Sequence, residues 1–140
     1  MTAAKLSAAE LTAILKAGFE GWDREGVTIE HVEHCGCRLR LAVTNALLRP
    51  GGTVSGPTMF TLADTAFYVA VMASVGPKTL AVTTNISINF LRKPKPVDMI
   101  AKCRLMKLGK QLAVGEVSIF SDGDDMPVAH ATGTYSIPPR

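Results

Sequence analysis

The distribution of apolar residues predicts one buried helix with strands on both sides of it. Segment 56–76 is apolar all round, so polar residues do not gather on one face. Ser55 is suited to cap this helix, Pro57 is tolerated in its first turn, and Gly76 is a stop signal. A helix of this composition is expected to be enclosed by protein rather than to lie on a surface.

Shorter periodic segments precede the central helix. Ser7 and Glu10 have the spacing of a capping box, and apolar residues follow at helical intervals. Alternation of apolar and polar residues then predicts a hairpin, and a Gly/Pro-rich segment predicts a loop. The predicted elements are a short helix from Ser7 to Gly21, strands over 27–33 and 38–44 with a turn at Gly36, and a loop over 45–55.

Four extended segments follow the central helix, separated by turn-forming residues. They are predicted over 80–91, 99–108, 112–121 and 128–137. About six antiparallel strands would have one apolar face to cover, and a single long helix can lie across it. The sequence therefore predicts one α+β domain over residues 1–140, in which a curved sheet wraps around the central helix.

Composition adds expectations about assembly and location. The 140-residue chain is 47% hydrophobic and 19% charged, so we expect another subunit to cover part of its apolar surface. The N-terminus lacks a long apolar segment, and the three cysteines are odd in number, which favours reduced thiols and a cytoplasmic location. The strands around the central helix, and the carboxylate within it, favour a protein core over a membrane span.

That carboxylate, Asp64, is the first candidate for chemistry. An unpaired carboxylate is costly to bury, because it either loses several kcal/mol of solvation or becomes protonated. A buried helix that keeps one is expected to place it at a cleft or against a partner. A structural role, bonded to a neighbouring backbone or hydroxyl group, remains the alternative.

Three segments of the sequence resemble a known family. Segment 49–57 reads RPGGTVSGP, segment 62–67 reads LADTAF, and segment 85–94 reads NISINFLRKP. Together they resemble the phenylacetate-pathway (PaaI-like) acyl-CoA thioesterases of the hotdog superfamily, in which a catalytic acid lies eight residues after a glycine at the start of the central helix. Gly56 and Asp64 have that spacing. The resemblance extends from about Leu39 to the C-terminus.

The resemblance implies hydrolysis of an acyl-CoA thioester to a free acid and CoA. Asp64 would be the nucleophile or the general base, and the Gly56 N–H would polarise the thioester carbonyl at the positive end of the helix. Thr83 lies near a position where the family often has a hydroxyl group, and it could orient the attacking water. Residues expected to contact the substrate are Ser55, Phe67 and Tyr68.

Helix geometry predicts that one chain cannot complete this site. Gly56 and Asp64 are eight residues apart, or ~12 Å at 1.5 Å per residue, too far to contact one reacting carbon. A two-fold axis can bring Gly56 of one chain to Asp64 of another. We therefore expect a homodimer, and possible further association into a dimer of dimers.

Three departures from the family pattern leave a second interpretation open. The family's histidine is Ser55 here, its second glycine is Pro57, and its loop asparagine falls near Arg49. Proline has no N–H, so the helix begins with fewer donors. The alternative is a hotdog protein that binds an acyl-CoA or another acyl ligand without hydrolysing it.

Basic residues are concentrated in one segment. Residues 92–110 contain seven Lys or Arg and one Asp, and the chain as a whole has a formal charge of +3. We expect Arg92, Lys93 and Lys95 to bind the phosphates of CoA. Aromatic residues are not interleaved with these cations, so no nucleic-acid partner is expected.

No metal or separate cofactor is expected, since CoA enters as part of the substrate. Four potential zinc ligands lie close together, but no second ligand pair follows at a suitable spacing, and an ordinary hairpin is the simpler interpretation. These residues are His31, His34, Cys35 and Cys37. Cys103 is expected to fill the core, and His130 to be a hydrogen-bonded strand residue.

Overall fold

The structure, a computed structural model, describes residues 3–18, 26–77 and 81–138. The elements are α1 (Ala8–Gly18), β1 (Val27–Glu33), β2 (Gly36–Leu41), β3 (Leu48–Arg49), β4 (Thr53–Val54), α2 (Gly56–Val75), β5 (Val82–Phe90), β6 (Met99–Leu108), β7 (Leu112–Ser121) and β8 (Ala129–Ser136). A 3₁₀ turn over Asn45–Leu47 precedes β3. Two predicted bounds lie outside the described residues: the end of α1 at Gly21, and the start at Leu80 of the strand that follows α2.

Six strands form one antiparallel sheet, as predicted. Their order is β1-β2-β6-β7-β8-β5, so β1 and β5 are the two edges. The short strands β3 and β4 pair only with each other, around a turn in which Gly51 and Gly52 have φ angles of 94° and 72°. The sequence predicted this segment as a plain loop and missed the hairpin.

Helix α2 lies across one face of the sheet and contacts all six strands. The inward residues of the sheet alternate with exposed ones, most clearly along β6 and β7. Helix α1 begins with the predicted capping box, in which the backbone N–H groups of Ser7 and Glu10 each donate to the other's side chain. Buried Leu11 and Leu15 belong to the same core as α2. This is the α+β hotdog arrangement expected from the sequence.

The two halves of α2 differ in exposure. Residues 66–74 are all buried, whereas Phe60 and Thr61 in the first half are exposed. By length and composition α2 could cross a membrane, but 67% of its apolar window is buried inside the protein, which makes it the core helix. The open side of the first half is therefore the surface of α2 on which a ligand or a partner can act.

The β1–β2 turn differs from the prediction. It is formed by His34 and Cys35, and Cys35 rather than Gly36 has a positive φ angle, 65°. Gly36 is instead the first residue of β2, where a Cβ atom would lie 3.0 Å from Cγ of Glu33 and 3.3 Å from the carbonyl oxygen of Cys103. Glycine is favoured at this position by close packing, not by turn geometry.

An ion-pair network covers the outer side of the sheet. The Arg40 guanidinium contacts Glu30 at 2.7 Å, Asp122 at 2.9 Å and Asp98 at 3.3 Å, and Arg38 contacts Glu30 at 2.9 Å. Hydrogen bonds from Arg40, and then from Arg38, lower the pKa of Glu30 below its usual value. The network links β1 and β2 to the segments that flank β6 and β7.

Candidate active site

Asp64 is held by two hydroxyl groups at the surface of α2. The Tyr135 hydroxyl lies 2.5 Å from Oδ1 of Asp64 and 3.0 Å from its carbonyl oxygen, so it can donate to either. The Thr83 hydroxyl donates to the same Oδ1 at 2.7 Å. Among the described residues, Oδ2 has no hydrogen-bond partner, so one carboxylate oxygen is fixed and the other is available.

Strand pairing brings the two hydroxyl groups together. Thr83 on β5 and Tyr135 on β8 are direct register partners, and β5 is irregular immediately after Thr83. Directly opposed residues of an antiparallel pair lie on the same face. Helix α2 crosses this face at Asp64, which completes a group of three side chains contributed by three elements.

The Tyr135 hydroxyl acts as a neutral donor in this group. Burial raises the pKa of Tyr135 strongly, and its hydrogen bond to Asp64 raises that pKa further. The phenol is therefore protonated at neutral pH and can donate its hydrogen bond to the Asp64 carboxylate. Its function would be to orient the carboxylate.

Sequence reasoning identified Asp64 and Thr83 but missed Tyr135. Tyr135 is one of several apolar or aromatic residues that alternate along the last strand. Only its pairing with Thr83 distinguishes it, and that pairing depends on the register between β5 and β8. A tyrosine facing a threonine on an edge strand would have been the available signal.

Gly56 is the first residue of α2, as predicted. Ser55 caps the helix, since its hydroxyl accepts from the Thr58 N–H at 3.3 Å and lies 2.9 Å from Oγ1 of Thr58. Within the described part of the chain, no acceptor lies against the Gly56 N–H, which is one of the free donors at the positive end of α2. A Cβ on Gly56 would lie only 3.2 Å from the Phe90 ring.

Within one chain, the two halves of the predicted site are separated. Asp64 is bonded to Thr83 near the start of β5, whereas Gly56 packs against Phe90 at its end. Along α2 itself, the eight residues from Gly56 to Asp64 span ~12 Å at 1.5 Å per residue. The structure therefore brings Asp64 and Thr83 together and leaves Gly56 at the far end of the strand.

The three residues expected to contact substrate are placed differently from one another. The Ser55 hydroxyl is engaged in the helix cap. Phe67 and Tyr68 are 1% and 8% exposed, and their rings lie 6.1 Å and 6.4 Å from the Tyr135 ring. Both aromatic residues therefore pack around Tyr135 within the core, and their contact with a substrate stays a prediction.

The basic segment 92–110 is divided among three places in the fold. Arg92 and Lys95 are tied to the β7–β8 connection, through the Pro127 carbonyl at 2.8 Å and Asp124 at 2.9 Å respectively, with exposed Lys93 between them. The other basic residues lie on β6 or in the β6–β7 turn: Lys102, Arg104, Lys107 and Lys110. Only the first group comes directly after β5, whose last residue, Phe90, packs against Gly56.

The cysteine and histidine residues considered from the sequence make contacts within the fold. Cys103 is buried in the core, and His130 lies 2.9 Å from Glu116. In the three described ranges, no three His, Cys, Asp or Glu side chains are grouped as a metal site would require. His31 pairs with Glu33 at 3.3 Å, and Cys37 donates to the Ala66 carbonyl at 3.2 Å.

Comparison with known proteins identifies the family and the fold of the chain. A profile described as the thioesterase superfamily matches residues 51–128, which include Gly56, Asp64 and Thr83. A protein of Saccharolobus solfataricus named as a candidate esterase is 31% identical over 132 residues, covering 94% of this chain and 86% of that protein.

Solved structures are similar along almost the whole chain. The crystal structure of a candidate thioesterase from Silicibacter sp. TM1040 has a TM-score of 0.89 and 45% identity, covering 97% of this chain and 94% of that one. The E. coli PaaI protein from the phenylacetic acid degradation operon has a TM-score of 0.81 at 22% identity, covering 94% of each chain. The chain therefore belongs to the thioesterase superfamily and has the hotdog fold.

Proposed function

We propose that this protein hydrolyses an acyl-CoA thioester to a free acid and CoA, with Asp64 as the nucleophile or the general base. The observation that carries the proposal is the state of the Asp64 carboxylate. Two hydroxyl groups fix Oδ1, and Oδ2 has no partner among the described side chains. A fixed, half-buried carboxylate with one oxygen left unbonded is suited to proton transfer or nucleophilic attack.

As general base, Asp64 would take a proton from a water molecule whose oxygen attacks the thioester carbon. The negative charge that develops on the carbonyl oxygen would be stabilised by a Gly56 N–H at the positive end of α2. The C–S bond then breaks, and the CoA thiolate leaves and is protonated. As nucleophile, Asp64 would attack the thioester carbon and expel the CoA thiolate, and water would then hydrolyse the resulting acyl anhydride to the free acid and the Asp64 carboxylate.

The second half of the site is proposed to come from another copy of the chain. Edge strand β5 has nine residues with no charge and no proline, and such edges pair readily with another strand. Exposed apolar residues lie on it and on α2, since Phe90 at the end of β5 is 52% exposed and Phe60 on α2 is 40% exposed. Antiparallel pairing of two β5 strands would cover this edge.

That pairing would also assemble the site. If two β5 strands pair about their central residue, Ile86, then Thr83 lies opposite the partner subunit's Asn89. Asp64, bonded to Thr83, would then be close to the partner subunit's Phe90 and to the partner subunit's Gly56, which packs against that ring. A homodimer would contain two such sites, and further pairing into a dimer of dimers is compatible with them.

The proposed CoA contacts are Arg92, Lys93 and Lys95, since they follow Phe90 and so lie at the Gly56 end of β5. No further cofactor is proposed, since CoA arrives with the substrate. A cytoplasmic location, where acyl-CoA esters are formed and used, is part of the same proposal.

The direct test is thiol release from a panel of acyl-CoA esters by wild type and Asp64→Asn. Removing a positioned acid or base is expected to lower kcat by about a hundredfold or more. Asp125→Asn is the matched control, because Asp125 is exposed in the loop before β8 and away from Asp64. Equal activity of wild type and Asp64→Asn would exclude Asp64 as the catalyst.

A non-catalytic acyl-CoA binding protein is the second candidate. It is favoured by the start of α2, where Pro57 supplies no N–H and the Ser55 hydroxyl is committed to the cap. If no ester of the panel is hydrolysed by the wild-type protein but CoA esters bind in calorimetry, this candidate replaces the thioesterase.

A further inference from the structure

A groove of about 360 Å³ lies beside the first half of α2. Its other walls are the adjacent ends of β1 and β2 and the turn that follows β2, and its apolar lining includes Leu41, Leu47 and Leu62. Small-molecule sites in proteins are commonly this large or larger and are mostly apolar with a few polar groups. The groove therefore has the size and lining of a ligand site.

Four threonines give the groove its polar groups. Two of their hydroxyls are already bonded, since Thr65 donates to the Thr61 carbonyl at 2.8 Å and Thr58 lies 2.9 Å from the Ser55 hydroxyl. The hydroxyls of Thr44 and Thr61 have no hydrogen-bond partner in the described structure. A hydroxyl can both donate and accept, so these two groups can bind a neutral oxygen of a ligand.

The groove adjoins Asp64 on the surface of α2. At 3.6 residues per turn, Thr61 is about 60° around the helix from Asp64, whereas Thr58 and Leu62 are about 120° and 160° away on the same side. Thr61 therefore stands between the carboxylate and the rest of the groove. A chain attached to a carbon beside Asp64 would pass Thr61 first and then enter the groove.

We propose that this groove binds the acyl group and that Thr61 determines specificity for an acyl chain carrying a hydroxyl or keto oxygen within its first few carbons. This inference rests on the proposed thioesterase function. At about 360 Å³, the groove has room for an acyl chain of several carbons. None of the described lining residues is charged, so a neutral oxygen suits the groove better than a second carboxylate.

The test compares octanoyl-CoA with 3-hydroxyoctanoyl-CoA. Wild type is expected to prefer the hydroxylated ester by about tenfold in kcat/KM, the scale of one hydrogen bond. Thr61→Val keeps the side-chain shape and removes the hydroxyl, so the preference should disappear, chiefly through KM. Thr132→Val is the matched control, because Thr132 is exposed on β8, away from the groove.

A second variant tests occupancy of the groove independently of the hydroxyl. Ala46 is an exposed lining residue, and Ala46→Phe would fill the groove. It should raise KM for both octanoyl esters and leave acetyl-CoA unchanged, since a two-carbon chain does not reach it. Unchanged kinetics with the octanoyl esters would overturn the assignment.

Binding measurements separate failure of this inference from failure of the thioesterase proposal. Calorimetry with Asp64→Asn gives, without turnover, the ratio of the dissociation constants of octanoyl-CoA and 3-hydroxyoctanoyl-CoA. Adding Thr61→Val to Asp64→Asn should bring this ratio to about one. A ratio near one in Asp64→Asn, or a ratio that Thr61→Val leaves unchanged, overturns the groove assignment even if hydrolysis depends on Asp64. If the ratio depends on Thr61 but wild type hydrolyses neither ester, the groove assignment is supported and the thioesterase proposal is overturned.

Discussion

At the scale of single residues, the candidate site depends on how the Asp64 carboxylate is held. The Thr83 and Tyr135 hydroxyls both contact Oδ1, so this oxygen is held in place, whereas Oδ2 has no hydrogen-bond partner among the described residues. The Phe67 and Tyr68 rings pack around Tyr135 and restrict its position. Two residues predicted to contact substrate would therefore contribute indirectly, by holding Tyr135.

Tyr135→Phe is expected to lower kcat by about tenfold with little change in KM, because a charge-assisted hydrogen bond to Asp64 is lost while the ring remains. Steady-state kinetics measure both constants, and the thermal unfolding midpoint serves as the control for packing. If kcat is unchanged in a folded variant, Tyr135 does not position the carboxylate.

At the scale of elements, the sequence predicted more than it missed. Periodicity gave the order of the helices and six strands, because local alternation reflects burial on one face. It could not give the contacts made through register between distant strands. The pairing of Thr83 with Tyr135, the splitting of the basic segment and the packing of Gly36 against β6 all depend on such contacts.

The ion-pair network on the outer side of the sheet gives a pH prediction at this scale. The pKa of Glu30 is lower in the folded state than its unfolded value, near 4.5. The stability that Glu30 contributes to the fold is therefore fully present above that unfolded pKa, and it is lost as the pH falls through the lower folded pKa. Glu30→Gln should lower the unfolding midpoint by about 2–5 °C at pH 7, and the difference from wild type should shrink toward pH 3.

Thermal unfolding followed by circular dichroism at several pH values measures this difference. Asp125→Asn, which removes an exposed loop carboxylate, should track wild type throughout. A difference for Glu30→Gln that is constant from pH 7 to pH 3 would show that the ion pairs with Arg38 and Arg40 do not stabilise the fold.

At the scale of the whole molecule, the central claim is that two chains build each site. The sequence predicted this from the eight-residue interval between Gly56 and Asp64. The structure adds that within a chain the two groups contact opposite ends of β5, and that β5 is an uncharged edge strand. Pairing of two such edges would bring Asp64 of one chain to the partner subunit's Gly56.

Complementation between two inactive variants can test this claim. Asp64→Asn removes the carboxylate, and Gly56→Pro removes the N–H that would bind the carbonyl oxygen. Proline is tolerated in the first turn of a helix, and the ψ angle of Ser55, 156°, is compatible with a following proline. Gly56→Ala introduces a Cβ against Phe90 but keeps the N–H, so it is the steric control.

The most direct measurement is the thioesterase activity of a heterodimer of Asp64→Asn and Gly56→Pro chains, co-expressed with two tags and purified through both. Only a site shared between chains can combine the intact Asp64 of one with the intact Gly56 of the other. We predict about half of the wild-type kcat per dimer, since one of two sites is restored. A heterodimer as inactive as its two parents would contradict the shared site.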